Sequence, residues 1–198
     1  MSGREAWDRL YAGQGRPWKG MADEVVPLSG TVLELGVGNG KGLSALTGAA
    51  SPVGLDISRP ALRSCQLHFP IPLVQGDARH LPFKDRSFNG VSASHVLGHL
   101  TSAGREMAAR EIVRVLRPNG LLYLNEFGEQ DMRCGRGSEP EPRTFERGNG
   151  IICHHFIDGE FRELFPSLRL EREWERRVDK RYHGRAEVRQ ERRALLVR

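Results

Sequence analysis

Thr31-Val32-Leu33-Glu34-Leu35-Gly36-Val37-Gly38-Asn39-Gly40 is the stretch on which the reading of this chain turns. Residues 31–35 read as a first strand, and residues 40–49 as the helix after it. Glycines where a strand gives way to a helix let the backbone turn sharply and approach a ligand without a Cβ in the way. Two familiar phosphate loops fail on spacing. G-x-G-x-x-G counted from Gly36 and Gly38 needs a third glycine where Lys41 stands. G-x-x-x-x-G-K-[ST] is not met by Gly36 and Lys41 in that register either.

Outward from this loop, short β-rich runs alternate with helical patterns, which is the mark of a parallel sheet with crossover helices. Strands are expected at 52–56, 71–75, 88–93 and 121–125. Helices are expected at 59–68 and 107–116, the second with Ile112, Val115 and Leu116 toward the sheet. Arg117-Pro118-Asn119-Gly120 reads as a tight turn. Residues 128–150, rich in Gly, Pro and charge, read as a long loop. Asp158 is expected to cap a short helix running through Phe165. Residues from Leu168 to Val178 then alternate apolar with charged, and His183-Gly184 turns the chain back into a last strand ending at Val197. The expected fold class is α/β: a Rossmann-like, doubly wound, mainly parallel seven-stranded sheet ending in an antiparallel β-hairpin. The expected organisation is one domain over 1–198. Within it, 1–28 is a lid-like segment, 128–156 a substrate-side loop and 167–198 the terminal hairpin.

A chain of 198 residues can bury a full core without disulfides or metals. Its 38% hydrophobic and 28% charged residues are an ordinary soluble balance, and no run of 18 apolar residues offers a membrane span. The N-terminal residues have no apolar signal-peptide core. Cys65, Cys134 and Cys153 stand far apart, without C-x-x-C spacing, so a disulfide framework is not expected and the expected compartment is the cytoplasm. Arg169 to Arg198 holds eleven Lys/Arg against six Asp/Glu, so this tail carries the whole net charge of +5. Such a surface either attracts a polyanion or is a charge-paired couple of strands.

Three further motifs follow the glycine loop in order. Asp56 ends the second strand, where a carboxylate can accept from a ribose diol; Asp56 or Ser58 can equally be a helix N-cap. Gly76-Asp77-Ala78 follows the third strand and leads to Leu81-Pro82-Phe83. Leu116 to Leu122 turns into the fifth strand. With VLELGVGNG, VGLDIS, QGDARHLPF and LRPNGLLYL in this order over roughly 31–127, the chain resembles the class I S-adenosylmethionine-dependent methyltransferases of the methyltransferase-domain group. The resemblance implies that Glu34, Gly36, Gly38 and Gly40 shape the methionine side of a site for S-adenosylmethionine, whose product is S-adenosylhomocysteine. It implies that Asp56, with Ile57 beside it, holds the ribose hydroxyls, that Asp77 and Ala78 read the adenine, and that His95 flanks the cofactor. Phe88-Asn89 departs from the Phe-Asp usual in the group. The resemblance names no methyl acceptor, and no Asn-Pro-Pro-Tyr or Pro-Cys motif of base methylation occurs.

Candidate substrate groups lie at the expected carboxyl edge of the sheet. His95 reads as a general base or a pocket wall, and His99 as structural. Glu126 is either a partner for a cationic substrate or a solvated loop acid. His154 and His155 end the long loop and are candidates for the substrate pocket. Zinc is not expected, because neighbours such as Cys153 and His154 point to opposite faces of a strand. Trp7, Tyr11 and Trp18 precede the sheet. Trp18 is the better lid candidate, with Trp7 assigned to packing. The favoured function is methyl transfer to a small-molecule acceptor. One alternative is an RNA methyltransferase using the basic hairpin and Arg133, Arg136, Arg143 and Arg147, since residues 150–156 faintly resemble tRNA wobble-uridine carboxyl methyltransferases. Another is a non-catalytic cofactor-binding subunit or sensor.

Overall fold

The structure, a computed structural model, describes residues 3–198 apart from 16, 18–21, 23, 47, 49 and 183. Ten strands are described: β1 (Gly30–Leu35), β2 (Ala50–Asp56), β3 (Leu73–Gln75), β4 (Phe88–Ser94), β5 (Leu116–Phe127), β6 (Ser138–Glu141), β7 (Thr144–Glu146), β8 (Ile152–His154), β9 (Arg169–Tyr182) and β10 (Arg185–Val197). Four α-helices accompany them: α1 (Gly3–Gln14), α2 (Arg59–Gln66), α3 (Ser102–Val115) and α4 (Glu160–Leu164).

The main sheet has seven strands in the order β3-β2-β1-β4-β5-β10-β9. Pairings from β3 through β5 are parallel, while β10 runs antiparallel to β5 and to β9. The order reverses beside β1, which lies between β2 and β4, so the glycine loop opens at the switch point of the sheet. Strand alternation sorts the core. Leu33, Leu35, Val91, Ala93, Leu122 and Leu124 face α3 and α4, where Ile112, Val115, Phe156, Phe161 and Phe165 complete the larger cluster. Val32 and Tyr123 face the other way, against Val26, Leu28 and Ala45. The expected fold class is thus the observed one, hairpin included.

Four local expectations change. The helix expected at 40–49 is a single 3-10 turn, Gly42–Ala45. Gly40, Gly42 and Gly48 each weaken a helix by roughly 1 kcal/mol, and Leu46 bridges to Val26 instead. The long helix begins at Ser102 rather than 107, because Thr101 caps it by accepting from Gly104 N at 3.2 Å. The expected loop over 128–150 holds structure: β6 and β7, with β8, make a three-stranded antiparallel sheet. The short helix is capped by Gly159 and not by Asp158, whose carboxylate pairs with Arg192. The turn at 117–120 survives as an outward bulge between Phe88–Leu116 and Gly90–Leu121 pairings, with Asn119 at φ 60°.

Phe156 is fully buried, with its ring 5.0 Å from that of Phe161 and 4.7 Å from that of His154. Phe156→Ala should therefore cost about 3–5 kcal/mol of stability. Urea midpoints at constant m-value check this, and a loss below about 1 kcal/mol would mean that the site collapses around the gap.

Candidate functional site

The site is built from strand ends. After β1 the chain takes left-handed steps at Gly36 (φ 68°), Gly38 (φ 55°) and Gly40 (φ 86°). At Gly38 a Cβ would run into the Tyr11 hydroxyl, and at Gly36 into Val96, so both positions need the absent side chain as well as the backbone freedom. Asp56 closes the loop from below. Its Oδ2 accepts from Gly38 N at 2.8 Å and its Oδ1 from Ser58 N at 2.8 Å. Ser58, not Asp56, caps α2, accepting from Ala61 N at 3.3 Å. Burial pushes the Asp56 carboxyl up to about 6 against these hydrogen bonds, with the Asp8 charge adding to the rise. Glu34 is 2% exposed, and burial raises it to about 7; its Oε2 has no protein partner.

Ile57 is half-buried, and its carbonyl accepts from Gln75 Nε2 at 3.2 Å. Ala78 is buried beside Asp77. The Asp77 carboxylate is held by Arg79, whose Nη2 and Nε lie at 2.6 and 3.0 Å, and this fork keeps its pKa below the usual range. Arg79 was not foreseen. The lid assignment to Trp18 lies outside the described residues. Helix α1 nonetheless crosses the cleft: Tyr11 lies on Gly38, and the Trp7 ring meets His99 edge-on at 4.9 Å. The packing assigned to Trp7 is therefore packing on Tyr11 and His99.

The four candidate catalytic groups separate. Glu126 is 1% exposed, and its Oε1 accepts from Val96 N at 2.9 Å and Leu97 N at 2.8 Å. It is neither a solvated loop acid nor free for a substrate, since it supplies the turn after β4 with its acceptor. His154 uses both ring nitrogens, on Thr144 Oγ1 at 2.9 Å and Glu160 Oε1 at 2.6 Å, and so ties β8 to β7 and α4. His99 Nδ1 meets Ile152 O at 2.7 Å, with burial pushing its pKa down to about 4. The structural role expected of His99 is the one observed.

His95 and His155 remain together. His95 takes a left-handed φ of 55°, stacks on Phe127 with centroids 4.0 Å apart, and sets Nε2 3.6 Å from Glu191 Oε1. Such backbone strain in a non-glycine residue concentrates at functional sites. His155 is fully buried, 6.4 Å from Phe127 between ring centroids. Glu191 is 4% exposed; burial alone pushes its pKa up, but His95, Arg193 and Arg189 hold it well below the usual carboxylate range. Phe127, Arg133, Arg189 and Glu191 were missed as a group. In sequence, Arg189 and Glu191 read as part of a solvated ribbon, and only the pairing of Glu191 with Phe127 across β10 and β5 joins them.

The Glu126 environment carries a pH signature. Burial raises its carboxyl to about 8 in the folded chain, against an ordinary value of 4.5. Between these values the folded state binds more protons than the unfolded one, so stability falls as pH rises through this window. Glu126→Gln keeps an uncharged acceptor for Val96 and Leu97 and should flatten that fall, measured as urea midpoints across the same window. An unchanged slope would assign the pH dependence to other groups.

Residues 33–124 match a family model described as a methyltransferase domain. The chain is 44% identical over 112 residues to phthiotriol/phenolphthiotriol dimycocerosates methyltransferase 1 of Mycobacterium ulcerans, covering 52% of this chain and 40% of that protein. It is 33% identical over 108 residues to a tRNA (carboxymethyluridine(34)-5-O)-methyltransferase of Arabidopsis thaliana, covering 54% of this chain and 26% of that protein. The chain thus spans less than half the length of these curated relatives. A solved S-adenosylmethionine-dependent methyltransferase of Methanosarcina mazei shares the fold with a TM-score of 0.66 at 22% identity, over 86% of this chain and 93% of that one. The stretch matched by the methyltransferase-domain model, residues 33–124, carries the glycine loop and Asp56 at the switch point of the seven-stranded sheet, and the fold is that of solved S-adenosylmethionine-dependent methyltransferases.

Proposed function

We propose that this protein transfers the methyl group of S-adenosylmethionine to a small-molecule acceptor in the cytoplasm. The carrying observation is the closure of the glycine loop on Asp56, with α1 laid across it. The residues fit the cofactor. Gly36 and Gly38 let the loop turn with Val96 and the Tyr11 hydroxyl packed close against it, Asp56 offers a carboxylate at the loop, and Glu34 keeps a buried oxygen without a protein partner. When bound, the cofactor supplies a methyl group already activated by a positive sulfur. The chain's contribution is then orientation and exclusion of water. Glu34 and the glycine loop would hold the methionine portion, Asp56 and Ile57 the ribose, and Asp77 and Ala78 the adenine. Tyr11 and Trp7 on α1 would shut out solvent.

The RNA reading has one observation in its favour, the similarity to a tRNA methyltransferase. The charge of the hairpin argues against it. Arg193 is 2% exposed and pairs with Glu24 and Glu191, while Arg189 pairs with Glu191, so this row does not form the basic ribbon imagined from its spacing. Arg192 pairs with Asp158 and Glu173, and Arg136 with Glu187. Among the described residues no helix is long and apolar enough to cross a membrane.

Calorimetry should show S-adenosylmethionine or S-adenosylhomocysteine binding, weakened by about 1.5–3 kcal/mol in Asp56→Ala, the scale of a hydrogen bond to a charged group. Binding of NAD or ATP with neither sulfur nucleoside would end the reading. Bulk tRNA should bind weakly. Affinity that is micromolar or tighter, and falls with a log–log salt slope of about −0.7 or steeper per phosphate contact, would promote the RNA alternative.

A further inference from the structure

Three acids converge on the glycine loop. The Glu34 carboxylate accepts from the Ser92 side chain, and its Oε1 lies where a Cβ of Gly42 would stand. Asp56 holds Gly38 N from the neighbouring strand. Asp8 arrives from α1. Tyr11, three residues later and so on the same helix face, sets its hydroxyl against Gly38, and the Asp8 charge is felt at Asp56. A cavity of about 30 Å³ is lined by the same Gly42 and Ser92, together with Ser94 and Asn125, and has room for a group of about the size of a water.

Two oxygens of this cluster are left over. Among the described residues, Glu34 Oε2 and Asp8 Oδ1 are buried without a hydrogen-bond partner, and Glu34 as a whole is 2% exposed. Buried polar atoms rarely stay unpartnered, and a ligand that completes them is one reason they persist. Carboxylates gathered away from water also repel one another, and a cation brought among them removes that cost. Arg4 pairs with Asp8 at 3.7 Å, but its side chain is 58% exposed, and a surface pair of this kind offsets little.

We propose that Asp8 completes, with Glu34 and Asp56, an acidic enclosure that recognises the positive sulfur of the methyl donor, so that this chain binds S-adenosylmethionine in preference to S-adenosylhomocysteine. The two nucleosides share adenosine, α-ammonium and carboxylate; they differ in one methyl and one positive charge. After transfer the same acids face a neutral thioether, and the attraction that held the donor is gone, which favours release of the product. The charged and titratable groups set against the three acids are Arg4 on α1 and Cys65 on α2. Burial and the charges of Asp56 and Glu34 push the Cys65 thiol up to about 11, so it adds no charge of its own near neutrality. With Glu34 raised to about 7 and Asp56 to about 6, falling pH neutralises both, and the preference shrinks with them. This inference rests on the methyltransferase reading and adds what its donor site selects.

The test is calorimetry on the full chain with three probes: S-adenosylmethionine, S-adenosylhomocysteine and sinefungin, which carries an amine in place of the methylated sulfur. At about pH 7.5 both cations should bind about tenfold tighter than S-adenosylhomocysteine, and at about pH 5 the ratio for S-adenosylmethionine should be smaller. Asp8→Asn, with its circular dichroism unchanged, should weaken both cations about threefold and leave S-adenosylhomocysteine within about twofold. If wild type binds none of the three, the methyltransferase reading falls, and this inference with it. If S-adenosylhomocysteine binds as tightly as the cations or tighter, charge recognition alone is overturned. A ratio that holds from about pH 7.5 to about pH 5, or one unmoved in a folded Asp8→Asn, overturns it as well.

Discussion

Backbone amides at the carboxyl ends of parallel strands lose their ladder partners, and two buried carboxylates take them up. Asp56 accepts from Gly38 and Ser58, and Glu126 from Val96 and Leu97. An unpaired buried amide costs about as much as a lost hydrogen bond, so these two acids decide where the loops after β1, β2 and β4 can lie. Both acids are paid for in raised pKa values, to about 6 and about 8. The loops follow from that arrangement: Asp56 holds the glycine loop, and the Glu126 turn presents His95 in its left-handed conformation.

A different balance operates on the opposite side of β5. Glu191 is buried yet ionised because His95 and several guanidiniums surround it. A buried charge is tolerable only when so paired. The same pairing explains why a tail that holds the whole net charge does not present a free basic ribbon. Much of its arginine is folded against acids of β9, of β10 and of the segment before β1.

The additions to the sheet serve these two halves. Helix α1 reaches the glycine loop through Tyr11 and reaches His99 through Trp7. His99 in turn binds the carbonyl of Ile152 in the small β6–β8 sheet. A chain of contacts therefore runs from the glycine loop to the small β6–β8 sheet.

The sequence alone determined the seven-stranded order of elements, the glycine loop, Asp56 and the resemblance to the methyltransferase domain, because these depend on local spacing: a strand end, a left-handed glycine and a carboxylate about one βαβ step later. It also determined the terminal hairpin, through the alternation of residues 168–197 around Gly184. It misjudged residues 40–49, where three glycines outweighed the helical pattern, and residues 128–150, where short strands of polar composition carry little periodic signal. Only the tertiary structure decided which acids and histidines are taken up by protein partners. Glu126 and His154 looked available and are consumed by partners 29 and 30 and 6 and 10 residues away, respectively. Glu191 looked solvated and is buried against Phe127, 64 residues earlier in the chain. Charge alternation within a strand does not reveal the register of its neighbour, and it is that register which turns an arginine expected at the surface into a buried ion pair.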